Sequence, residues 1–555
     1  MYHSLGLSPF RIVAGAAFMP DWILHNALVY TQWDAHPWAE AVAIRGERVL
    51  AVGRDADVLA LASSRTACHD LGGALVLPGF TDAHIHFHDL ARRRNEVDLA
   101  GAADLGEVQA RIAAHAARLP AEAWVLGHGW NESTWPHPRF PHRHDLDAVT
   151  GGRPAVCWRA DLHAAWANSA ALRLAGIGPD TPDPPAGIID RDEHGQPTGI
   201  LRELAIDLIR RVIPSPSEAV WLENLRAVAA DLNRLGLVGV HDQRMKDHAE
   251  EGRLALQRYS RLRAEEGLTL RIACNVEAAN LPHLIALGLT SGFGDDWLRL
   301  GHIKLFTDGS LGSRTAWMLD PYDGEPTNTG LALTPPAAML AVIQTAHRHG
   351  CAVSVHAIGD RANREVLDIV AEVLAAGSPH PPRLPHRIEH VQTIQPADQP
   401  RLAALGLIAS MQPLHCTDDI IQTDRYWGAR GANTYVFRSL LTAGTVLAFG
   451  SDAPVASPNP WWGIHAAVTR QRRDGTPPGG WYPEQRLSVA EAVRAYTLGP
   501  AQAIAQAHQQ GRIAPGYLAD LVAVDRNIFT CDPAAIADTR VLLTVVGGRI
   551  VYRSL

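Results

Sequence analysis

Short apolar runs, each ending in a polar cluster or in Gly or Pro, recur through the middle of the chain. Several are followed by stretches of helical periodicity, such as RANREVLDIVAEVLAA. Strands that alternate with helices predict an α/β repeat fold. In a closed barrel of this kind the catalytic groups lie at the carboxyl ends of the strands, where these polar clusters fall. The candidate strands are VLPGFTDAHIH, GLVGVHD, LRLGHIKLFTDG, CAVSVHAIGD, PHRIEHVQ, GLIASMQP and TVLAFGSDAP.

The two ends of the chain have a different pattern, with short alternating strands and tight turns. Two or three strands are marginal by themselves, so we predict that residues 20–77 and 510–555 form one small β-domain together. Residues 78–100 and 230–509 are then assigned to the barrel. The segment 101–229 is too long for a single connection in a repeat fold, and we interpret it as an inserted lobe.

Residues 1–19 are interpreted as an N-terminal extension, and the alternative is that translation begins at Met19. The apolar stretch Ile12–Met19 is short and lacks a convincing cleavage site, so we do not expect a signal peptide. No run approaches the ~20 apolar residues that a membrane span needs. We therefore expect no membrane partner.

The composition is that of a soluble globular protein, with 555 residues of which 47% are hydrophobic and 19% charged. Lys and Arg number 50 against 58 Asp and Glu, a net charge of −8 that lacks the basic field of a nucleic-acid binder. The six cysteines lie far apart without a CxxC motif, which favours a reducing, cytoplasmic location. The unusual feature is histidine, which occurs 27 times.

His84 and His86 end the first predicted barrel strand. Alternate residues of a strand share one face, so both imidazoles point into the same space. That geometry suits two ligands of one divalent metal, for which neutral imidazole is a common ligand. The HxH spacing is weak evidence by itself, because three further pairs occur in the chain, and the position at a strand end distinguishes this pair.

Lys304 lies in an otherwise apolar strand and allows two interpretations. A lysine there can extend its ammonium group to the barrel rim or pair with a carboxylate. Alternatively, burial beside cationic metals lowers the pKa of the amine. A neutral amine can react with carbon dioxide to form a carbamate, which is an anionic oxygen donor.

His356, His390 and Asp452 each stand at the end of a later predicted strand. One such histidine is more often a hydrogen-bonded core residue, but two at successive strand ends favour metal ligation. Asp452 allows a second interpretation as a helix N-cap. Beside an activated water, the same carboxylate is suited to accept a proton and pass it to a leaving group.

These motifs together resemble the amidohydrolase superfamily of metal-dependent hydrolases. More narrowly, DLHAAWANSAAL, QPTGILRE, IKLFTDGSLGSRTA, SVHAIGDRANREVLD, HRIEHVQ and FGSDAPV are similar to the branch of N-substituted formamide deformylase and the YtcJ-like proteins. The resemblance extends over Trp22–Tyr552. It implies a distorted (β/α)8 TIM barrel, a β-sandwich built from both chain ends, and an inserted lobe. It also implies one metal on His84, His86 and Asp452, another on His356 and His390, and a bridging carbamate on Lys304.

The lobe and its surroundings contain five further candidates for substrate binding, which are His163, Asn168, Glu203, Asp308 and Arg314. His163 and Asn168 follow a pattern of the same branch, although Asn168 can instead cap the helix that begins near Ser169. Glu203 either reaches the site or forms a salt bridge with Arg202 or a neighbour. The glycines around Asp308 and Arg314 form a weak phosphate-loop signal without GK[ST], and a tight loop that shapes the pocket is preferred.

The sequence therefore predicts a hydrolase that uses an activated water to cleave a C–N bond in a small molecule, an amide, N-acyl or N-formyl group. The cofactor is one or two divalent ions, with zinc expected first although ligand preferences overlap among metals. Alternatives on the same scaffold are a deaminase, an ester or lactone hydrolase, or an isomerase. A rival of another class is a non-catalytic ligand-binding relative. A homodimer is compatible with the resemblance.

Overall fold

The computed structural model describes residues 19–132, 135–160, 164–184, 187–244 and 249–554. Most of the predicted N-terminal extension, and His163, therefore lie outside the described residues. Contacts divide the chain into two compact units. Among the described residues, the first contains 19–86 with 229–309 and 316–554, and the second contains 87–228 and 310–315.

The strands and the α-helices are each numbered in chain order. The strands are β1 (Trp22–His25), β2 (Leu28–Tyr30), β3 (Trp38–Ala39), β4 (Ala41–Arg45), β5 (Arg48–Gly53), β6 (Ala67–Asp70), β7 (Leu75–Pro78), β8 (Phe80–Ile85), β9 (Val97–Asp98), β10 (Val125–Trp130), β11 (Ala155–Arg159), β12 (Ala164–Ala167), β13 (Gly187–Arg191), β14 (Pro197–Glu203), β15 (Leu237–Asp242), β16 (Arg271–Glu277), β17 (Leu298–Phe306), β18 (Val353–Ala357), β19 (Arg387–His390), β20 (Ile408–Met411), β21 (Val446–Phe449), β22 (Leu521–Val524), β23 (Val541–Val546) and β24 (Arg549–Arg553). The α-helices are α1 (Asp55–Leu59), α2 (Phe87–Arg93), α3 (Leu105–Ala116), α4 (Arg143–Asp147), α5 (Ser169–Leu174), α6 (Ile206–Arg210), α7 (Glu218–Arg234), α8 (Ala249–Ala264), α9 (Leu281–Ala286), α10 (Pro336–Arg348), α11 (Asp360–Ala376), α12 (Gln399–Ala404), α13 (Pro413–Asp418), α14 (Ile420–Tyr426), α15 (Phe437–Thr442), α16 (Pro460–Thr469), α17 (Val489–Tyr496) and α18 (Leu498–Ala503).

The two chain ends build a β-sandwich, as the sequence predicts. One sheet has the order β5-β4-β1-β6, and the other has the order β24-β23-β22-β7-β2-β3. The ends meet where β7 pairs antiparallel with β22, with Val76 opposite Ala523. Both sheets contribute to one apolar core, in which Val42 of the first sheet and Val29 of the second are fully buried.

The barrel consists of parallel strands in the order β8-β15-β16-β17-β18-β19-β20-β21. Strands covered on both faces are apolar along their whole length, which explains the continuous runs in the sequence. The ring closes through backbone bonds after β21, where the Asp452 amide donates to the His84 carbonyl at 2.6 Å. Gly450 makes this approach feasible, since a Cβ there would lie 2.3 Å from the His84 nitrogen. The (β/α)8 prediction is confirmed.

Helix α11 shows how the pattern determines an element of this barrel. Val366, Val370 and Val373 are buried at helical spacing, while charged residues between them face outward. The helix ends at Gly377, whose φ of +67° is readily adopted by glycine. The segment whose periodicity predicts a helix therefore forms one in the structure.

The second unit contains a sheet of the order β13-β14-β12-β11-β10-β9 and most of the segment interpreted as an inserted lobe. Its core includes Trp130 and Trp166, whose rings meet edge to face at 6.1 Å. Among the helices of the described residues, none combines the length and apolar character needed to cross a membrane.

Candidate metal centre

The carboxyl ends of the barrel strands bring together three of the predicted ligands. One ligand atom each from His84, His390 and Asp452 lies within 4.8 Å of the others, and all three residues are buried. Parallel strands in register place their carboxyl ends at one rim, which explains why residues far apart in sequence meet here.

The Asp452 carboxylate is the centre of this cluster. Its Oδ1 lies 3.2 Å from His84 Nε2 and 3.0 Å from His86 Nε2. Burial opposes ionisation, but the charge and hydrogen bonds of these two imidazoles hold the pKa of Asp452 well below its usual range. The backbone at Asp452 and at His390 is left-handed, with φ of +60° and +71°. Strain of this kind costs about 1–3 kcal/mol per residue and concentrates at functional sites.

Buried acceptors fix the orientation of two imidazoles. Glu389 Oε2 lies 2.6 Å from His84 Nδ1, and Gln412 Oε1 lies 2.8 Å from His390 Nδ1. Because these oxygens accept, each Nδ1 carries a proton, so the neutral form of each ring has its lone pair on Nε2. A second group that orients a histidine in this way is typical of metal sites.

Glu389 belongs to a buried polar layer under the cluster. It accepts hydrogen bonds from Ser354 at 2.6 Å and from Arg387 at 3.1 Å. Burial by itself would raise the pKa of Glu389, but Arg387, His84 and Lys304 hold it well below its usual range. Arg387 is fully buried and also donates to the Ala83 carbonyl. Glu389 is therefore an anion beneath the histidines.

Lys304 is 3% exposed, and its ammonium lies 4.9 Å from the centre of the Phe306 ring. Burial lowers the pKa of Lys304 to about 8, against the opposing charges of Glu389 and Asp452. The amine is thus nearer to neutrality than an exposed lysine, as the second interpretation of this residue requires.

His356 has its Nε2 engaged outside the cluster. This atom donates to the Gly309 carbonyl at 3.0 Å and lies 3.6 Å from Asp308 Oδ1. Its ring centre is 4.6 Å from that of His390. His356 therefore borders the cluster, but the Nε2 atom is committed to a backbone carbonyl in this arrangement.

Comparison with known proteins identifies the family of this chain and several relatives. Residues 67–552 match the Amidohydrolase family. The chain belongs to this family. It is 30% identical over 534 residues to the YtcJ protein of Bacillus subtilis (strain 168), covering 96% of this chain and 99% of that protein. It is also 29% identical over 552 residues to N-substituted formamide deformylase of Arthrobacter pascens, covering 96% of this chain and 98% of the relative.

A solved structure agrees with this assignment. An uncharacterised metal-dependent hydrolase of Pyrococcus horikoshii OT3 is similar with a TM-score of 0.77 and 27% identity, over 92% of this chain and 99% of that one. The amidohydrolase described here is therefore a hydrolase of the YtcJ-like branch, as the sequence motifs indicate.

Two candidate substrate contacts of the amidohydrolase have their polar groups occupied. Asp308 is fully buried and accepts from the backbone amides of Trp317, Ile358 and Gly359 at 2.8, 3.0 and 2.8 Å. Asn168 caps α5, and its amide bonds to Ala155, Ala171, Thr150 and Arg153 use both donors and both acceptor positions. The capping alternative describes the observed contacts of Asn168.

The remaining candidates belong to the second unit of the amidohydrolase. Glu203 and Arg314 are exposed, and both have left-handed backbone, with φ of +51° and +56°. The suggested partner of Glu203, Arg202, instead pairs with Asp190. A substrate role for Glu203 and Arg314 stays a prediction.

Sequence reasoning missed four residues that surround the cluster, which are Arg387, Glu389, Gln412 and His415. A signal exists for the first two, since charged residues inside the apolar run PHRIEHVQ need buried partners. For the others the signal is weaker, because Gln412 and His415 follow strand β20 as single polar residues in SMQPLHC. His415 Nε2 lies 3.8 Å from Asp452 Oδ2.

Proposed function

We propose that this amidohydrolase hydrolyses the C–N bond of an amide, N-acyl or N-formyl group in a small molecule. The observation that carries the proposal is the convergence of His84, His390 and Asp452 within 4.8 Å at the barrel rim. The relative named N-substituted formamide deformylase supports the bond type. Its similarity extends over nearly the whole chain, so the same class of substrate is the natural first test.

The residues at this rim fit a divalent metal. Nδ1 of His84 and of His390 is occupied by a buried acceptor, which leaves each Nε2 lone pair for a cation. Asp452 adds an anionic oxygen, and His86 Nε2 lies beside that oxygen. Imidazole and carboxylate together are typical zinc ligands. We propose one or two ions, zinc first, held by His84, His86, His390 and Asp452. A second position would add Lys304 and His356, and His356 would then have to release the Gly309 carbonyl or bind through its other ring nitrogen.

A divalent ion at such a site lowers the pKa of water toward neutrality and withdraws electron density from a carbonyl group. The protein groups then manage the proton. Asp452, a carboxylate at rest, accepts a proton from the attacking water as the new O–C bond forms. It returns that proton to the nitrogen as the C–N bond breaks, and the products are a carboxylic acid and an amine.

Lys304 has the setting that a carbamate needs. Its pKa of about 8 gives a neutral fraction of roughly one tenth at pH 7, and the neutral amine is the form that adds to carbon dioxide. We retain the carboxylated lysine as part of the proposal. A cytoplasmic location and a homodimer also stay predictions.

The test is an activity screen on gently purified, full-length protein whose metal content is measured first. We expect release of 4-nitroaniline from 4-nitroformanilide, or of amines from N-acyl amino acids, with loss of turnover after chelation and recovery with zinc. Hydrolysis of lactones or aryl esters with no amide turnover would contradict the C–N proposal. A protein that binds no transition metal would favour the ligand-binding alternative.

A further inference from the structure

His415 lies close to Asp452 and is not one of the proposed ligands. It lies in α13, immediately beyond strand β20 and therefore at the same rim of the barrel. Its Nε2 lies 3.8 Å from Asp452 Oδ2, and its ring stacks nearly parallel on that of His390, with centres 6.1 Å apart. This position places an imidazole at the edge of the cluster.

The two oxygens of Asp452 face different partners. Oδ1 is the oxygen close to His84 and His86, while Oδ2 is the oxygen close to His415. A separation of 3.8 Å is too long for a hydrogen bond between Oδ2 and the imidazole. It nevertheless places both groups within reach of the same small region, so atoms that react at Oδ2 lie beside His415 Nε2.

His415 Nε2 is buried and has no hydrogen-bond partner among the described residues. An unpaired buried polar atom destabilises the fold, so proteins retain few of them. In the proposed ligand His390, by contrast, the Nδ1 atom has a hydrogen-bond partner, the side chain of Gln412. The unpaired atom of His415 lies 3.8 Å from Oδ2 of the reacting carboxylate, and among the described residues no hydrogen-bond partner would compete with a substrate for it.

The segment that carries His415 is held in place on both sides. Gln412 precedes α13 directly and is bonded to His390. Asp419 follows the helix and accepts from Tyr435 at 2.6 Å and Gln392 at 2.9 Å. These anchors fix the helix relative to the cluster, which is the pre-organisation that a donor in a catalytic site requires.

We propose that His415 is a further catalytic residue, whose Nε2–H donates a hydrogen bond to the carbonyl oxygen of the bond being cleaved. The inference rests on the proposed C–N hydrolysis. As the water oxygen bonds to the carbonyl carbon, the π electron pair moves onto the carbonyl oxygen and the water proton moves to Asp452. The hydrogen bond from His415 Nε2–H is strongest at this stage, when the carbonyl oxygen carries negative charge. When the electron pair on that oxygen re-forms the C=O bond, the C–N bond breaks and the proton passes from Asp452 to nitrogen.

The test compares His415→Phe and His415→Gln in the full-length, metal-loaded protein with 4-nitroformanilide as the substrate. Removal of one pre-organised donor lowers kcat by about 10²–10³-fold in known sites. We expect a loss of that size for H415F, with KM within about threefold and metal content unchanged. H415Q keeps an N–H donor and should recover at least about tenfold of the kcat lost in H415F.

His349→Phe serves as the matched control, because His349 is exposed at the end of α10 and bonds to the Thr345 carbonyl. It should retain wild-type kinetics. If H415F folds poorly, judged by its melting temperature, the ratio of kcat between H415Q and His415→Leu decides the question in the same way.

Three results would overturn the inference. A kcat of H415F within about threefold of wild type removes His415 from the chemistry. Loss of metal together with activity makes it a ligand instead. Equal activity of the Gln and Phe variants excludes hydrogen-bond donation. In each case the wild type still turns over, whereas failure of the metal-loaded wild type on every amide overturns the proposed function as well.

Discussion

The Nδ1 atom of His84 lies 2.6 Å from Oε2 of Glu389, and both side chains are almost completely buried. The carboxylate accepts the Nδ1 proton and so selects the tautomer with a free Nε2 lone pair. Glu389 is held in turn by Ser354 and Arg387. The orientation of a ligand histidine therefore depends on residues that do not bind the metal themselves.

Glu389→Gln should weaken metal binding. A glutamine side chain keeps the shape, but the loss of the anion weakens the His84 contact and leaves Arg387 less well paired. Substitution of such supporting groups typically lowers metal affinity by about 10–100-fold. Competition with a chromogenic zinc chelator measures the change, and excess zinc should restore much of the activity. Unchanged zinc affinity would show that Glu389 does not orient His84.

Asp452→Asn should retain at least part of the metal but lose turnover. Asparagine keeps an oxygen near His84 and His86, yet it cannot accept and return a proton. Loss of a general acid–base group lowers the rate by about 10²–10⁴-fold. Metal content by elemental analysis and kcat on the best amide substrate check both parts. Near-normal activity of the metal-loaded variant would refute the assigned role of Asp452.

Lys304 should take up carbon dioxide. The neutral fraction of the amine rises as pH increases through its pKa of about 8, so carbamate formation should rise from pH 6.5 to pH 8.5. Incubation with ¹³C-labelled bicarbonate should give a carbamate signal in the ¹³C NMR spectrum. Lys304→Met should lack that signal. A wild-type spectrum without the signal at any of these pH values, with zinc present, would exclude the modification.

Asp308→Ala should destabilise the fold. Asp308 accepts three backbone amides, from Trp317, Ile358 and Gly359, and each hydrogen bond to a charged group contributes about 1.5–3 kcal/mol. We expect a clear fall in the melting temperature of Asp308→Ala. The melting temperature of Asp308→Asn should lie between that of Asp308→Ala and that of the wild type. A wild-type melting temperature with a raised KM would instead favour the substrate contact predicted from the sequence.

Glu491→Gln should reduce stability at neutral pH but not at pH 2. The hydrogen bond from Arg438, with further bonds from Ser488, lowers the pKa of Glu491 to about 2, against the ordinary 4.5. A lowered pKa stabilises the folded state above pH 4.5, and this contribution is lost as pH falls toward 2. Glu491 also closes the capping box of α17, worth about 1 kcal/mol. A melting-temperature difference that persists unchanged at pH 2 would contradict this account.

The barrel and the convergence of His84, His390 and Asp452 could be predicted because both depend on periodic pattern and strand ends. His84, His390 and Asp452 each follow an apolar run, and parallel pairing brings such ends together. The composite sandwich followed from the marginal stability of short strands in isolation. These inferences need no knowledge of individual side-chain contacts.

The contacts of the surrounding residues could not be predicted in the same way. Arg387 is a charged residue that is fully buried. The reason for a charge at this position becomes clear only from the structure, which places Glu389 and Ser354 beside it. Asn168 has the same sequence signal whether it caps a helix or binds a substrate. Whether His415 lies near Asp452 depends on which face of a short helix is turned toward that residue. A six-residue segment has too few turns to establish a periodicity that would predict this face.

The pairing of β7 with β22 has a consequence for how this chain is made. Residue 78 leaves the ribosome more than 400 residues before residue 521. At about 5–20 residues per second, that interval is on the order of 20–90 s. During this time the nascent sheet exposes an open edge, which invites pairing with other chains. Synthesis of this protein therefore includes a long aggregation-sensitive period that ends only when strand β22 emerges.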